Sequence, residues 1–155
     1  MAFTVLGHPE PRGSKTPFVP KYKNGEPVRD RNGRVIVNMV DANKKSGPWM
    51  ACVRAAAHAV YSGKLLAGPI RLWVASYFSR PKCHFGTGRN CDKLKESSPR
   101  YHVQTPDEDK VLRGIQDALT GIVYVDDKQV CDGRSVKFWT TERSERAEIV
   151  VEELV

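Results

Sequence analysis

The sequence predicts an α+β domain: a small, mainly antiparallel or mixed sheet carrying two helices. Three observations lead there. Apolar residues recur at helical spacing in two separate stretches, Trp49–Val60 and Val111–Leu119. The segment Pro69–Phe78, "PIRLWVASYF", alternates apolar residues as a half-buried strand does. Shorter β-prone pieces, Phe3–Gly7 near the start and "RSVKFWT" and "AEIVVEEL" near the end, flank them. The 155 residues suit one domain over 1–155 with its own core.

The elements follow in order. After the first strand, "HPEPRGSKTPFVP" has too many prolines for a helix. "FVPKYKNGEPVRDRNGRVIVN" holds two Asn-Gly turn signals between β-prone pieces, so a hairpin-like excursion is expected. The first helix should take Ser46 as its cap, Pro48 in its first turn, and Gly63 as its C-terminal stop. Residues 79–105 form a long basic loop, read either as a solvated connection or as a phosphate-contacting flap. The second helix is expected over Pro106–Leu119. Thr105 and Glu108 would form a capping box, Pro106 would take the first helical position, and Gly121 would end the helix. "IVYV" should be a strand leading into Asp126 and Asp127.

Composition narrows the function. Hydrophobic residues make up 40% and charged residues 28%, which suits a folded globular chain. No apolar run approaches the ~20 residues that span a bilayer, and "MAFTVLGHPE" lacks a signal-peptide pattern. An intracellular, cytoplasmic protein without a membrane partner is expected. The formal net charge of +7 favours an acidic partner such as nucleic acid. The four cysteines are scattered and are expected to be reduced.

Against this basic background, "TPDEDKVLRGIQDALTGIVYVDD" places acids at both of its ends, Asp107, Glu108 and Asp109 at one and Asp126 and Asp127 at the other. A helix from Pro106 to Leu119 runs ~20 Å. A strand from Ile122 to Asp127 would return ~17 Å, bringing the two acidic ends together. Clustered carboxylates repel one another unless a cation sits among them, and Mg²⁺ prefers such oxygens. Carboxylate-held metal suits phosphodiester hydrolysis. Each acid taken singly has a plainer explanation, because first-turn acids stabilise a helix through its dipole. On an ideal helix Asp107 and Asp109 point ~200° apart. Asp107 is therefore expected in the lead-in to the helix or on a distorted first turn, although the capping box argues otherwise. Arg113 shares a helix face with Asp109. It is either a surface ion pair or a permanently charged stabiliser of the scissile phosphate.

These residues resemble the RusA family of Holliday junction resolvases. The resemblance rests on "PDEDKVLRGIQDALTGIVYVDDKQV", on the opening "FTVLGHPEPRGSK", and on "VKFW" around Lys137. It is weakest from Pro81 to Arg100. It implies a RusA-like fold and a homodimeric, Mg²⁺-dependent endonuclease, with Mn²⁺ as a possible substitute, that cuts four-way DNA junctions in paired fashion. It puts the three essential aspartates, as metal ligands and catalytic groups, on Asp107, Asp109 and Asp127. It puts the family's lysine on Arg113, a departure that tests whether charge alone suffices. Lys110 stands where the family has asparagine. The resemblance further implies that Arg12, Lys15 and Lys137 face DNA.

Other patterns carry less. "GSKT" at Gly13–Thr16 fails as a phosphate loop, since no Gly directly precedes the lysine, and no nucleotide cofactor is expected. Cys83, His84, Cys91 and His102 fit no familiar zinc spacing. Trp49, Trp73, Tyr77 and Trp139 are expected in the core. Two rival readings stand beside the resolvase. One is a non-catalytic DNA-binding protein whose acids merely cap a helix. The other is a metal-dependent nuclease for flaps or other branched nucleic acids.

Overall fold

The computed structural model of the chain describes every residue except Arg143 and Val155. Its elements are β1 (Ala2–Leu6), β2 (Lys15–Phe18), β3 (Asn38–Asp41), α1 (Ser46–Val60), β4 (Ile70–Phe78), α2 (Glu108–Leu119), β5 (Val130–Trp139) and β6 (Arg146–Glu153). Four strands form one sheet in the order β1-β6-β4-β5, and β2 and β3 form a separate two-stranded ribbon. The fold is α+β, as expected. The sheet is mixed: β6 runs antiparallel to β1 and β4, whereas β4 and β5 are parallel. A parallel pair needs a crossover, and the chain from 79 to 129, containing α2, supplies it.

Alternation along β4 decides what is buried. Ile70, Leu72, Val74 and Phe78 point inward, and Trp73 is 45% exposed on the opposite face. The expectation that Trp73 is a core residue was therefore wrong. A strand side chain takes the face its register dictates, whatever its apolarity. Trp73 lies instead beneath the guanidiniums of Arg71 and Arg134, at 6.0 and 5.4 Å. Tyr77 shares that outer face and is half-buried, while Trp49 and Trp139 are buried as expected. Both helices pack on the inner face. α2 gives Val111, Ile115, Ala118 and Leu119 to the core, and α1 gives Trp49, Met50, Val53 and Ala57.

The helix ends differ from expectation. α1 begins with Ser46 inside the helix and Lys45 as its N-terminal cap, with no side-chain cap bond. Its C-terminal cap is Tyr61 in an extended conformation, so Gly63 does not end it. α2 starts at Glu108, with Asp107 extended at φ −65 and ψ 139 and no side-chain cap bond. The Thr105–Glu108 capping box is therefore absent. The expected strand at 122–125 is a turn, in which the Gly121 N–H donates to the Tyr124 carbonyl at 2.8 Å. Tyr124 is fully buried, and its hydroxyl donates to the Gln116 carbonyl at 3.0 Å, which folds the segment against α2. Residues 79–105 are a folded excursion with single turns at Lys82–His84 and Gly88–Asn90 and a Phe85–Leu94 bridge. Arg80 and Lys95 are used there on the carbonyls of Pro99 and Cys83.

Candidate active site

The lead-in to α2 is set from the sheet. The Lys137 ammonium, on β5, donates to the carbonyls of Gln104 and Pro106, at 2.6 and 2.5 Å. That clamp fixes the chain immediately before Asp107. The first helical bond then runs from the Val111 N–H to the Asp107 carbonyl, at 3.2 Å. Asp107 thus stands outside the helix and Asp109 inside its first turn, so of the two expected placements of Asp107 the lead-in is the one found and the distorted first turn is not. Its carboxylate bonds the Lys110 ammonium at 2.7 Å, and that bond holds its pKa below the ordinary value.

Asp126 and Asp127 lie elsewhere. Asp126 caps the single 3₁₀ turn Asp127–Gln129. Its carboxylate accepts from the Lys128 N–H, while the Gln129 amide oxygen accepts the Asp126 N–H. The Lys128 bonds lower the Asp126 pKa. Both aspartates line an open cleft with Asp117, in the last turn of α2, with Thr120 just beyond it, and with the cations Arg12, Lys15, Arg54 and Arg113. Neither Asp107 nor Asp109 lines it. Asp109 and Asp117 are eight residues apart on one helix, or ~12 Å, and Arg113 stands between them.

The strand expected to return Asp127 to Asp107 and Asp109 is absent, and Asp127 lines a cleft that Asp107 and Asp109 do not. A turn replaces the strand whose length that geometry required. Carboxylates suit a hard divalent ion, but the arrangement does not fit one. Among the described residues, no three His, Cys, Asp or Glu side chains stand together as ligands.

Arg12 organises the cleft floor. Its Nε lies 3.0 Å from Asp117 and 3.4 Å from Asp41, a terminal nitrogen reaches the Met50 sulfur at 3.1 Å, and its N–H donates to the Lys110 carbonyl at 2.9 Å. Arg12 is thus committed within the protein, as is Lys137. Lys15, Arg54 and Arg113 form no ion pair among the described residues. They leave three cationic heads in a cleft beside Asp127, an environment suited to a phosphodiester. Sequence reasoning missed Asp117, Asp41 and Arg54. Asp117 was findable, because it lies four residues beyond Arg113 on the same face. Arg54 reaches the cleft, and Asp41 reaches Arg12, only through tertiary packing.

A basic α+β protein with unpaired cations beside carboxylates has the layout of a nucleic-acid-processing protein. Residues 17–152 match the model of the endodeoxyribonuclease RusA family, and the chain belongs to that family. Its members are endonucleases that act on branched DNA junctions and generally require a divalent metal. The chain is also 28% identical over 152 residues to the "Uncharacterized protein YqaN" of Bacillus subtilis (strain 168), covering 98% of this chain and 95% of that protein. No helix among the described residues is long and apolar enough to cross a membrane.

Proposed function

We propose that the chain, as one RusA-like domain over 1–155, is a Mg²⁺-dependent endodeoxyribonuclease of the cytoplasm. It resolves four-way DNA junctions by paired phosphodiester hydrolysis, and Mn²⁺ can replace Mg²⁺. The family match over residues 17–152 carries this reading. Asp107, Asp109 and Asp127 are the proposed catalytic carboxylates; as placed they do not form one metal site, so their binding of the ion requires the turn holding Asp127 and the lead-in to α2 to approach each other when DNA and metal enter. Arg113 is the proposed electrostatic stabiliser of the phosphoryl oxygens, since its guanidinium keeps its proton and cannot serve as a base. Its place in the cleft with Asp127, Lys15 and Arg54 supports that role.

Paired cuts across a two-fold junction call for two active sites, hence a homodimer. The outer face of the sheet supports a second copy as partner. There Arg71, Arg134 and Arg146 are each paired with Asp132, Glu148 or Glu152, around the exposed apolar Trp73 and Val150. A face with balanced charge in a basic protein suits its own copy better than DNA.

The test is a gel comparing four-way junction, linear duplex and flap DNA with Mg²⁺, Mn²⁺ or chelator. Symmetric nicking of the junction alone supports the proposal. Binding without cutting under every metal condition would establish the non-catalytic reading instead, and flap cleavage would establish the other nuclease.

A further inference from the structure

The ribbon formed by residues 15–41 has no role in the fold's core. Not one residue from Lys15 to Asp41 is buried. β2 and β3 pair antiparallel at its base, Lys15 opposite Asp41 and Phe18 opposite Asn38. Beyond them the chain folds into a meander around the Asn24-Gly25 and Asn32-Gly33 turns, with bridges Lys21–Pro27 and Arg29–Val35. Val28 donates to Pro20 and receives a bond from Ile36, so 26–30 is the middle segment of the tip. The result is a free-standing arm.

Its surface is unusual in two respects. Phe18 and Tyr22 are 54% and 57% exposed, and Val37 and Met39 are likewise in solvent. An isolated ribbon of this size is marginally stable in water, so such exposure has no folding benefit. The second feature is charge. The arm carries Lys15, Lys21, Lys23, Arg29, Arg31 and Arg34, and none of these forms an ion pair among the described residues. Its acids are engaged locally. Glu26 bonds Asn24, Asp30 accepts the N–H groups of Asn32 and Arg34, and Asp41 holds the Asn43 N–H and pairs with Arg12. The cations therefore face outward uncompensated.

The base of the arm is fixed to the cleft. Lys15 lines the cleft with Arg113 and Asp127. Arg12 ties Asp41 to Asp117 of α2, and the Ala42 N–H donates to the Ser14 carbonyl at 3.0 Å. Gly13 sits in this joint, where any Cβ would meet the Asp41 carboxylate and the Asn43 amide.

We infer that the arm is a DNA-binding element that grips a limb of the substrate and leads its backbone into the cleft. The arm is a slender β-meander on a two-stranded base, and its unpaired cations match a phosphate backbone. Phe18 and Tyr22 supply apolar and aromatic surface for bases that lose their stacking at a branch point. The inference rests on the reading of the protein as acting on branched DNA, and it assigns DNA contact to residues the family resemblance did not name, Lys15 apart.

The test uses the full chain with four-way junction DNA in chelator, by fluorescence anisotropy across a salt series. The combined variant K21A, K23A, R31A and R34A should bind at least ~10-fold more weakly. Its plot of log affinity against log salt should be shallower by about 2–4, at ~0.9 for each phosphate no longer neutralised. Phe18→Ser with Tyr22→Ser should weaken binding without changing the slope. A second measurement needs no variant: acetylation of wild-type lysines, with and without junction DNA, should show Lys21 and Lys23 protected by DNA. Wild-type protein that binds no DNA would overturn the nuclease reading. Wild-type binding with Lys21 and Lys23 still freely acetylated, or with the salt slope unchanged in the combined variant, would overturn the assignment of the arm alone.

Discussion

Replacing Lys137 by methionine separates two jobs for one residue. As a DNA contact, Lys137 would govern affinity. As placed, its ammonium donates to the Gln104 and Pro106 carbonyls and holds the lead-in that sets Asp107. Lys137→Met keeps most of the aliphatic stem and removes the donor. Hydrogen bonds to a charged group contribute ~1.5–3 kcal/mol each. Water can reach the exposed Gln104 carbonyl once the ammonium is gone, whereas Pro106 is buried. One such bond is thus the reasonable scale, about 1.5–3 kcal/mol. At ~2–4 °C per kcal/mol for a chain of this size, Tm should fall by roughly 3–12 °C. Urea denaturation and thermal melts would measure it, with a junction-binding salt series run alongside. The expected result is lower stability with an unchanged salt slope. Unaltered stability together with a slope shallower by ~0.9 would refute the clamp and return Lys137 to the DNA surface.

Three further outcomes are expected. Asp109→Asn should abolish junction cutting while junction binding persists, as followed by cleavage and mobility-shift gels; cutting at the wild-type rate would remove Asp109 from the catalytic set. His102, buried between Phe78 and Trp139 with ring centroids at 4.3 and 4.2 Å, has its pKa lowered by burial. The unfolded chain, with a His pKa near ~6.5, binds that proton more readily, so stability is full above about pH 6.5 and falls as pH drops toward the depressed folded value. Urea midpoints at several pH values should show that slope, and His102→Phe should remove the His102 contribution; an unchanged slope would count against it. Ile115→Ala empties a fully buried site between α2 and the sheet and should cost ~2–5 kcal/mol in urea denaturation; a loss below ~1 kcal/mol would mean that the core closes over the cavity.

Much of the fold was legible because periodicity reports burial directly. The apolar stripe of α2 and the alternation of β4 located the two elements that face each other across the core. Local chemistry was less reliable. Thr105 and Glu108 carry a capping-box pattern, yet a lysine thirty-odd residues away along the chain holds the carbonyls before the helix, and the helix starts later. "IVYV" is β-prone, yet burial of Tyr124 against α2 makes it a turn. That single difference removes the strand that was to carry Asp127 back to Asp107 and Asp109, and Asp127 lines a cleft with Asp117 and Arg113 instead.

By itself the sequence determined the α+β class, the family, the two amphipathic helices and the excursion with its two Asn-Gly turns. All of these follow from local pattern, from residue spacing, or from motif resemblance. Only the tertiary structure decided which carboxylates share a cleft, that Arg12 and Lys137 are committed to internal contacts, and that 15–41 stands free as a cationic arm. The physical reason is common to all three. A side chain's partners are set by elements distant along the chain, and a hydrogen bond or ion pair between them leaves no periodic trace in the sequence.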